Sequence, residues 1–196
     1  MAVNNNSRYK GISKDEILEV AMKLFHAKGY HGTSTAEICQ CLGISKPTLY
    51  WYFKNKEEIL FSAHESLMES LLIPIIKGME GIDDHLERLK YFINEYVPVI
   101  CANPKLRILV HESMFLDPEH SGVITDNWRK MLKCLRESLQ GLELQGRTKP
   151  LNPSFIAMSL IGMCTWPYYW FDYSRPEGMS VLVENIAEMF FQGILK

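Results

Sequence analysis

The sequence predicts an all-α protein with about nine helices, and three features of the chain carry this prediction. Apolar residues recur at helical spacing along most of the chain. Serine or asparagine followed by an acidic residue or proline, a pattern typical of helix starts, precedes many of these apolar segments. No segment alternates apolar and polar residues between hairpin turns, so no β-strand is predicted.

Three short helices are predicted in the first 55 residues. Ser13 is a good N-cap for the first of them, and Gly29 is expected to end it. Ser34 and Ser45 are the N-caps of the second and third, with Gly43 in the turn between them. Two short helices joined by a turn that contains glycine form a helix-turn-helix arrangement.

The third predicted helix has an unusual exposed face. Leu49 and Phe53 are four residues apart and can both enter a core. The remaining side chains are then basic, hydroxyl-bearing or aromatic and point elsewhere: Lys46, Thr48, Tyr50, Trp51 and Tyr52. Exposed aromatic residues indicate a binding surface, and a short helix of this composition suits the major groove of DNA. The alternative is that some of these aromatics pack in the core or on the first helix.

The rest of the chain continues in helical periods. A longer helix starts at Lys56, and Pro74 is expected to bend it or to mark its last turn. Further helices are predicted at residues 86–100, 104–116, 124–142, from 153 onward and 181–195, with a turn at 175–178. The last two helices are apolar around most of their circumference, which predicts a four-helix bundle between two copies of the chain.

The composition is that of an ordinary globular protein and indicates no catalytic or metal chemistry. The five cysteines are odd in number and lack the paired spacing of a zinc site, which predicts free thiols in a reducing cytoplasm. The six histidines form no metal-binding motif, and no phosphate-binding or nucleophile motif occurs. We therefore predict no metal, no cofactor, no membrane span and no enzymatic activity.

A set of residues between positions 17 and 60 carries a family resemblance: Ile17, Ala21, Phe25, Gly29, Tyr30, Thr33, Ser34, Ile38, Gly43, Ile44, Ser45, Leu49, Tyr50, Phe53, Lys56, Glu57 and Leu60. With this set, residues 12–60 resemble the N-terminal domain of the TetR family of transcriptional regulators. The resemblance implies that the first three helices bind one half of a palindromic operator. It also implies a larger helical domain that dimerises and binds a small-molecule effector.

The resemblance implies which residues meet double-stranded DNA: Thr33, Ser34, Thr35, Ser45, Lys46, Pro47, Thr48, Tyr50, Trp51, Tyr52 and Lys56. Hydroxyl and ammonium groups at helix starts are common phosphate partners. Pro47 departs from the family, in which many members have glycine at this position. The proline removes a backbone donor and offers an apolar contact, for which a thymine methyl group is suitable.

An aromatic stretch near the C-terminus predicts an effector site. The run from Trp166 to Ser180 resembles the C-terminal part of TetR-family regulators that respond to acyl-CoA thioesters. The candidate effector residues are Trp128, Met163, Trp166, Tyr169, Trp170 and Arg175. The alternative is that about half of these aromatics are dimer core, and that Arg175 caps a helix.

These observations predict a homodimeric, cytoplasmic transcriptional regulator that acts as a repressor. Its expected parts are a disordered arm (residues 1–11), a helix-turn-helix domain (12–55) and an effector-binding and dimerisation domain (56–196). The expected effector is a small, mostly apolar molecule, with an acyl-CoA or another lipid-like molecule as the candidates. The alternative from another class is an all-α small-molecule-binding or enzymatic protein that keeps the helix-turn-helix for packing.

Overall fold

The computed structural model describes residues 11–103, 115–172 and 176–196. Over these residues the chain is helical and contains no β-strand, so the predicted all-α fold is confirmed. The helix predicted at residues 104–116 and the predicted arm lie almost entirely outside the described residues.

The N-terminal part holds α1 (Lys14–Gly32), α2 (Thr35–Leu42) and α3 (Lys46–Tyr52). Ser13 forms a complete capping box with Glu16 at the start of α1. The side chain of Ser34 accepts the N–H of Glu37 and so caps α2. Gly29 does not end α1 but kinks it, with φ of 75° and ψ of 164°, and a short helical turn follows to Gly32.

The connection to the larger part is one long helical rod. It consists of α4 (Lys56–Leu67), a π-helical turn (Met68–Leu72) and α5 (Ile73–Glu80). Pro74 has no N–H to donate to the carbonyl four residues earlier, and its ring crowds that carbonyl. The wider π turn immediately before the proline relieves this conflict, which is the physical form of the predicted bend.

The larger part is completed by α6 (His85–Ala102), α7 (Pro118–Leu144), α8 (Pro153–Thr165), a 3₁₀ turn (Trp166–Tyr169) and α9 (Pro176–Ile194). The prediction of a turn at residues 175–178 is wrong from Pro176 onward, because α9 begins there. Proline is favoured in the first turn of a helix, where its missing N–H costs nothing, so this proline marks a helix start and not a break.

The core of the larger part is built around α6. This helix contacts α5, α7, α8 and α9, and the side chains of Phe92 and Tyr96 are fully buried within it. The Tyr96 hydroxyl lies 3.2 Å from that of Thr165 in α8.

Among the described residues, the rod Lys56–Glu80 is long and apolar enough to cross a membrane, but half of that stretch is buried inside the protein, as in a core helix.

Candidate nucleic-acid interface and ligand cleft

The turn between α2 and α3 is fixed by its own backbone. Gly43 adopts a left-handed conformation with φ of 65° and ψ of 29°, which glycine tolerates at little steric cost. The N–H of Ile44 then bonds the carbonyl of Cys39 at 3.0 Å. Ser45 follows and caps α3, accepting the N–H of Thr48 at 3.2 Å. The chain therefore enters α3 at one defined angle relative to α2.

α3 is anchored on one side and exposed on the other. Leu49 is fully buried and Phe53 is 1% exposed, so these two side chains hold the helix in the core. On the other side, Tyr50 is 48% exposed and Trp51 is 79% exposed. The N-terminal residues of α3 are exposed as well: Ser45, Lys46 and Pro47. The helix thus presents a basic, hydroxyl and aromatic surface, which we call the α3 face.

Hydroxyl groups connect the α3 face to the start of α2. The Thr35 hydroxyl lies 3.3 Å from the Tyr50 hydroxyl, and the Ser45 hydroxyl lies 2.8 Å from that of Thr48. Ser34 is exposed beside Thr35. Eight of the eleven predicted DNA-contact residues therefore lie on or next to one surface: Ser34, Thr35, Ser45, Lys46, Pro47, Thr48, Tyr50 and Trp51.

The other three predicted residues point their polar groups into the domain. Thr33 is 1% exposed, and its hydroxyl donates to the carbonyl of Gly29 at 3.0 Å. The hydroxyl of Tyr52 donates to the carbonyl of Ile12, which ties α3 to the start of the domain. The Lys56 ammonium donates to the carbonyls of Tyr30 and Thr33 at 2.8 and 2.9 Å. These side chains hold the helices of the N-terminal part together.

An apolar cleft lies in the C-terminal part, between α8, the 3₁₀ turn and α9. Its volume is about 700 Å³, which is within the range of small-molecule sites. Three predicted effector residues line it, namely Met163, Trp166 and Trp170. Sequence reasoning missed the α9 wall, which includes Val181, Leu182, Ile186 and Met189, although the apolar period of that helix was the available signal.

The remaining predicted effector residues are not in the wall of the cleft. Tyr169 stacks obliquely on Trp166 with ring centroids 5.3 Å apart, so it supports the rim. Trp128 lies on α7 and packs against the core. Arg175 lies outside the described residues.

Two family models together match most of the chain. Residues 17–63 match the model of bacterial regulatory proteins of the tetR family, and residues 83–194 match the tetracyclin repressor-like C-terminal domain. The chain belongs to the tetR family. It is therefore a transcriptional regulator and not an enzyme, with a DNA-binding helix-turn-helix and a ligand-binding C-terminal domain.

Individual members of the tetR family are related to it along most of their length. The transcriptional regulator HbdR of Aromatoleum sp. (strain CIB) is 24% identical over 181 residues, covering 87% of this chain and 79% of HbdR. The transcriptional activator FasR of Mycolicibacterium smegmatis is 23% identical over 197 residues, covering 96% of this chain and 88% of FasR.

The fold is also that of AibR, which has been solved in two states. AibR in complex with isovaleryl coenzyme A and operator DNA superposes with a TM-score of 0.81 at 27% identity, covering 91% of this chain and 97% of AibR. Apo AibR superposes with a TM-score of 0.76 at 26% identity, covering 90% and 97%. This chain is thus similar to both states, with the higher score for the complex.

Proposed function

We propose that the protein is a homodimeric repressor that binds a palindromic operator and leaves it when a small, mostly apolar effector binds. The observation that carries the DNA part is the α3 face, with Lys46, Tyr50 and Trp51 exposed on a helix that Leu49 and Phe53 anchor. In the helix-turn-helix docking mode such a face enters the major groove, and two-fold symmetry of the protein matches two half-sites.

Different residues on and beside the α3 face make the phosphate contacts and the base contacts in this proposal. Lys46 and the hydroxyls of Ser34 and Thr35 lie at helix starts, where phosphate binding is favoured by charge and by the helix dipole. Pro47 and Tyr50 reach base edges or the thymine methyl group. The buried or internally bonded Thr33, Tyr52 and Lys56 hold the helices in place, and a phosphate contact by Lys56 stays a prediction.

Dimerisation through α8 and α9 follows from their uncovered apolar side chains. Phe155 is 74% exposed, Met158 56%, Val181 54% and Met189 65%. Large apolar groups that cluster on a surface mark an interaction site. Pairing α8 and α9 with the same helices of a second copy covers these side chains and closes the cleft against solvent.

The domains we propose are residues 12–55 for DNA binding and 56–196 for dimerisation and effector binding. The dimer acts in the cytoplasm, where its operator DNA lies.

The proposed effector is an acyl-CoA or another lipid-like molecule. Support for this ligand class comes from the apolar wall of the cleft and from AibR, which has been crystallised with isovaleryl coenzyme A and operator DNA together. Release of the operator on effector binding stays a prediction for this chain. An apolar tail between Met163, Trp170 and Leu182 gains the free energy of removing its surface from water. An effector changes operator binding only through its different affinity for the two states of the protein.

The described conformation is the DNA-competent one in this proposal. Support comes from the higher TM-score with AibR that holds both isovaleryl coenzyme A and operator DNA (0.81) than with apo AibR (0.76). The rod Lys56–Glu80 begins directly after α3 and reaches into the larger domain, so a tilt of this rod changes the spacing of the two α3 helices in a dimer. Half-sites must lie about 34 Å apart or a multiple of this, which makes binding sensitive to a small tilt.

The test is selection of genomic DNA fragments by the full-length protein. We expect one palindromic sequence to be enriched, and the Lys46→Glu variant to lose this enrichment because it places negative charge at the phosphate backbone. Lys77→Glu is the matched control, since it makes the same charge change at an exposed position of α5. Enrichment of no sequence, or equal enrichment by Lys46→Glu, contradicts the proposal and favours the alternative of a binding protein that keeps the helix-turn-helix for packing.

A further inference from the structure

α4 and α7 are joined near their N-termini by a small polar cluster. The ring nitrogen Nδ1 of His120 lies 2.9 and 3.0 Å from the two carboxylate oxygens of Glu57. Glu57 also accepts the backbone N–H of Asp117 at 3.2 Å. The Asp117 carboxylate caps α7 and lies 3.3 Å from the same His120 nitrogen. The Glu57 side chain of α4 is thus bound both to the N-cap residue of α7, Asp117, and to His120 in its first turn.

Ring contacts fix the geometry around this cluster. The His120 imidazole stacks on Phe61 of α4, with centroids 3.8 Å apart and an interplanar angle of 12°. Phe115, just before α7, stacks on Tyr30 at 5.6 Å and meets His31 edge-on at 4.2 Å, both at the end of α1. The segment Phe115–His120 therefore contacts both the DNA-binding domain and the start of the rod.

We propose that Glu57 and His120 are positioning residues for DNA recognition: their ion pair holds α4 at the tilt that presents α3 to the operator. We call the pair the α4–α7 clasp. The inference rests on the proposed function and adds a specific regulation to it. The clasp is strongest when His120 carries a proton, so proton concentration becomes an input to operator binding alongside the effector.

The described charged groups around His120 favour its protonated form. They are Glu57 from α4, and Asp117 and Glu119 from the start of α7. On the α1 side, His31 meets Phe115, and the Lys56 ammonium is directed to the carbonyls of Tyr30 and Thr33. Burial alone lowers the pKa of His120. The hydrogen bond to Glu57 and the negative charges of Glu57, Asp117 and Glu119 outweigh this effect, so the pKa of His120 is raised overall.

The sign of the pH effect follows from this raised pKa. Below the pKa of an unclasped histidine, about 6.5, His120 is charged in both states and the clasp has its full strength. As pH rises through the higher pKa of the clasped state, the proton and its contribution are lost. Operator binding by the wild type should therefore weaken with rising pH over this window.

The first measurement is the pKa of His120 itself, followed by NMR of its imidazole in buffer with EDTA, which removes any bound cation. We expect a pKa above 6.5 in the wild type and a lower one in Glu57→Gln. Glu69→Gln is the matched control, because it makes the same change at an exposed position of the same rod. A His120 pKa that does not move in Glu57→Gln overturns the proposal.

The second measurement is operator affinity from pH 6 to pH 8.5 by fluorescence anisotropy. Relative to Glu69→Gln, we expect Glu57→Gln and His120→Gln each to bind about three- to tenfold more weakly at pH 6, and to differ little from the wild type at pH 8.5, because a partly exposed ion pair is of modest strength. The double variant should match either single variant, since both remove one interaction.

The two proposals fail in different ways. If the wild type enriches no palindrome, the proposed function fails, whatever the pKa of His120. If it binds a palindrome and all variants share one pH profile, only the clasp fails. Additive losses in the double variant also contradict the clasp, because independent residues lose binding independently.

Discussion

At the residue scale, removing a single hydroxyl oxygen from Tyr50 or from Tyr52 tests whether the α3 face contacts DNA. The Tyr50 hydroxyl lies next to Thr35 on the exposed face, whereas that of Tyr52 donates to Ile12 inside the domain. We expect Tyr50→Phe to weaken operator binding by about three- to tenfold, the effect of one hydrogen bond, with stability nearly unchanged. The measurement is an anisotropy titration with the selected operator.

Tyr52→Phe is the matched control for this prediction. It should lower the free energy of unfolding by about 1 kcal/mol and leave the operator affinity of the folded protein nearly unchanged. The opposite outcome, in which Tyr52→Phe weakens binding and Tyr50→Phe does not, would show that Tyr52 and not Tyr50 contacts the DNA.

His64 allows a second prediction at this scale. It lies in α4, is 1% exposed, and its Nε2 has no hydrogen-bond partner among the described residues. Burial lowers the pKa of His64 to about 4, so between pH 6.5 and 4 the unfolded chain binds the extra proton. The wild type should therefore lose about 3 kcal/mol of stability as pH falls through this window.

The check is urea denaturation of the wild type and His64→Leu between pH 7.5 and pH 4.5. The leucine cannot titrate and leaves no unpaired nitrogen, so the variant should be at least as stable at pH 7 and lose less stability in acid. Parallel pH profiles for the two proteins contradict the assignment of this acid sensitivity to His64.

At the scale of single elements, the turn between α2 and α3 depends on Gly43. No atom of the described residues lies within 4 Å of a Cβ atom built there, so among these residues the obstacle to alanine is the φ of 65°. Gly43→Ala should cost about 1 kcal/mol of stability. Gly122→Ala in α7 is the control, because that position is also open but helical, and it should gain about 0.5–1 kcal/mol. Equal effects of the two substitutions in urea denaturation contradict this account of the turn.

Helix starts were predictable from the sequence because a cap is a local interaction. Ser13, Ser34, Ser45 and Asn55 each accept a backbone N–H three residues on. The π turn before Pro74 was not predictable in detail, since the apolar pattern reports the face of a helix and not its hydrogen-bond register. The start of α9 at Pro176 was misread because proline favours both turns and first helical turns.

At the scale of the whole molecule, contacts between distant residues were beyond local reasoning. Glu57 and His120 are 63 residues apart, and the local sequence around either residue does not predict that the two side chains are in contact. Met163, Trp166 and Trp170, which are close together in the sequence, line one cleft in the structure, and their role in effector binding stays a prediction. The α9 wall of their cleft was missed, since pairing α8 with α9 is a property of the folded domain. The family resemblance supplied the DNA-binding role that physical pattern alone only favoured.

The central claim is that one dimer binds two half-sites, and operators of equal length with one or two intact half-sites test it most directly. Anisotropy titrations should compare the full palindrome with a DNA of equal length that has one half-site scrambled, with the dimer mass confirmed by light scattering. Because two linked sites bind with a high effective concentration, the palindrome should bind about 100-fold more tightly or better. Equal affinity for the two DNAs, or a monomeric mass at micromolar concentration, would contradict it.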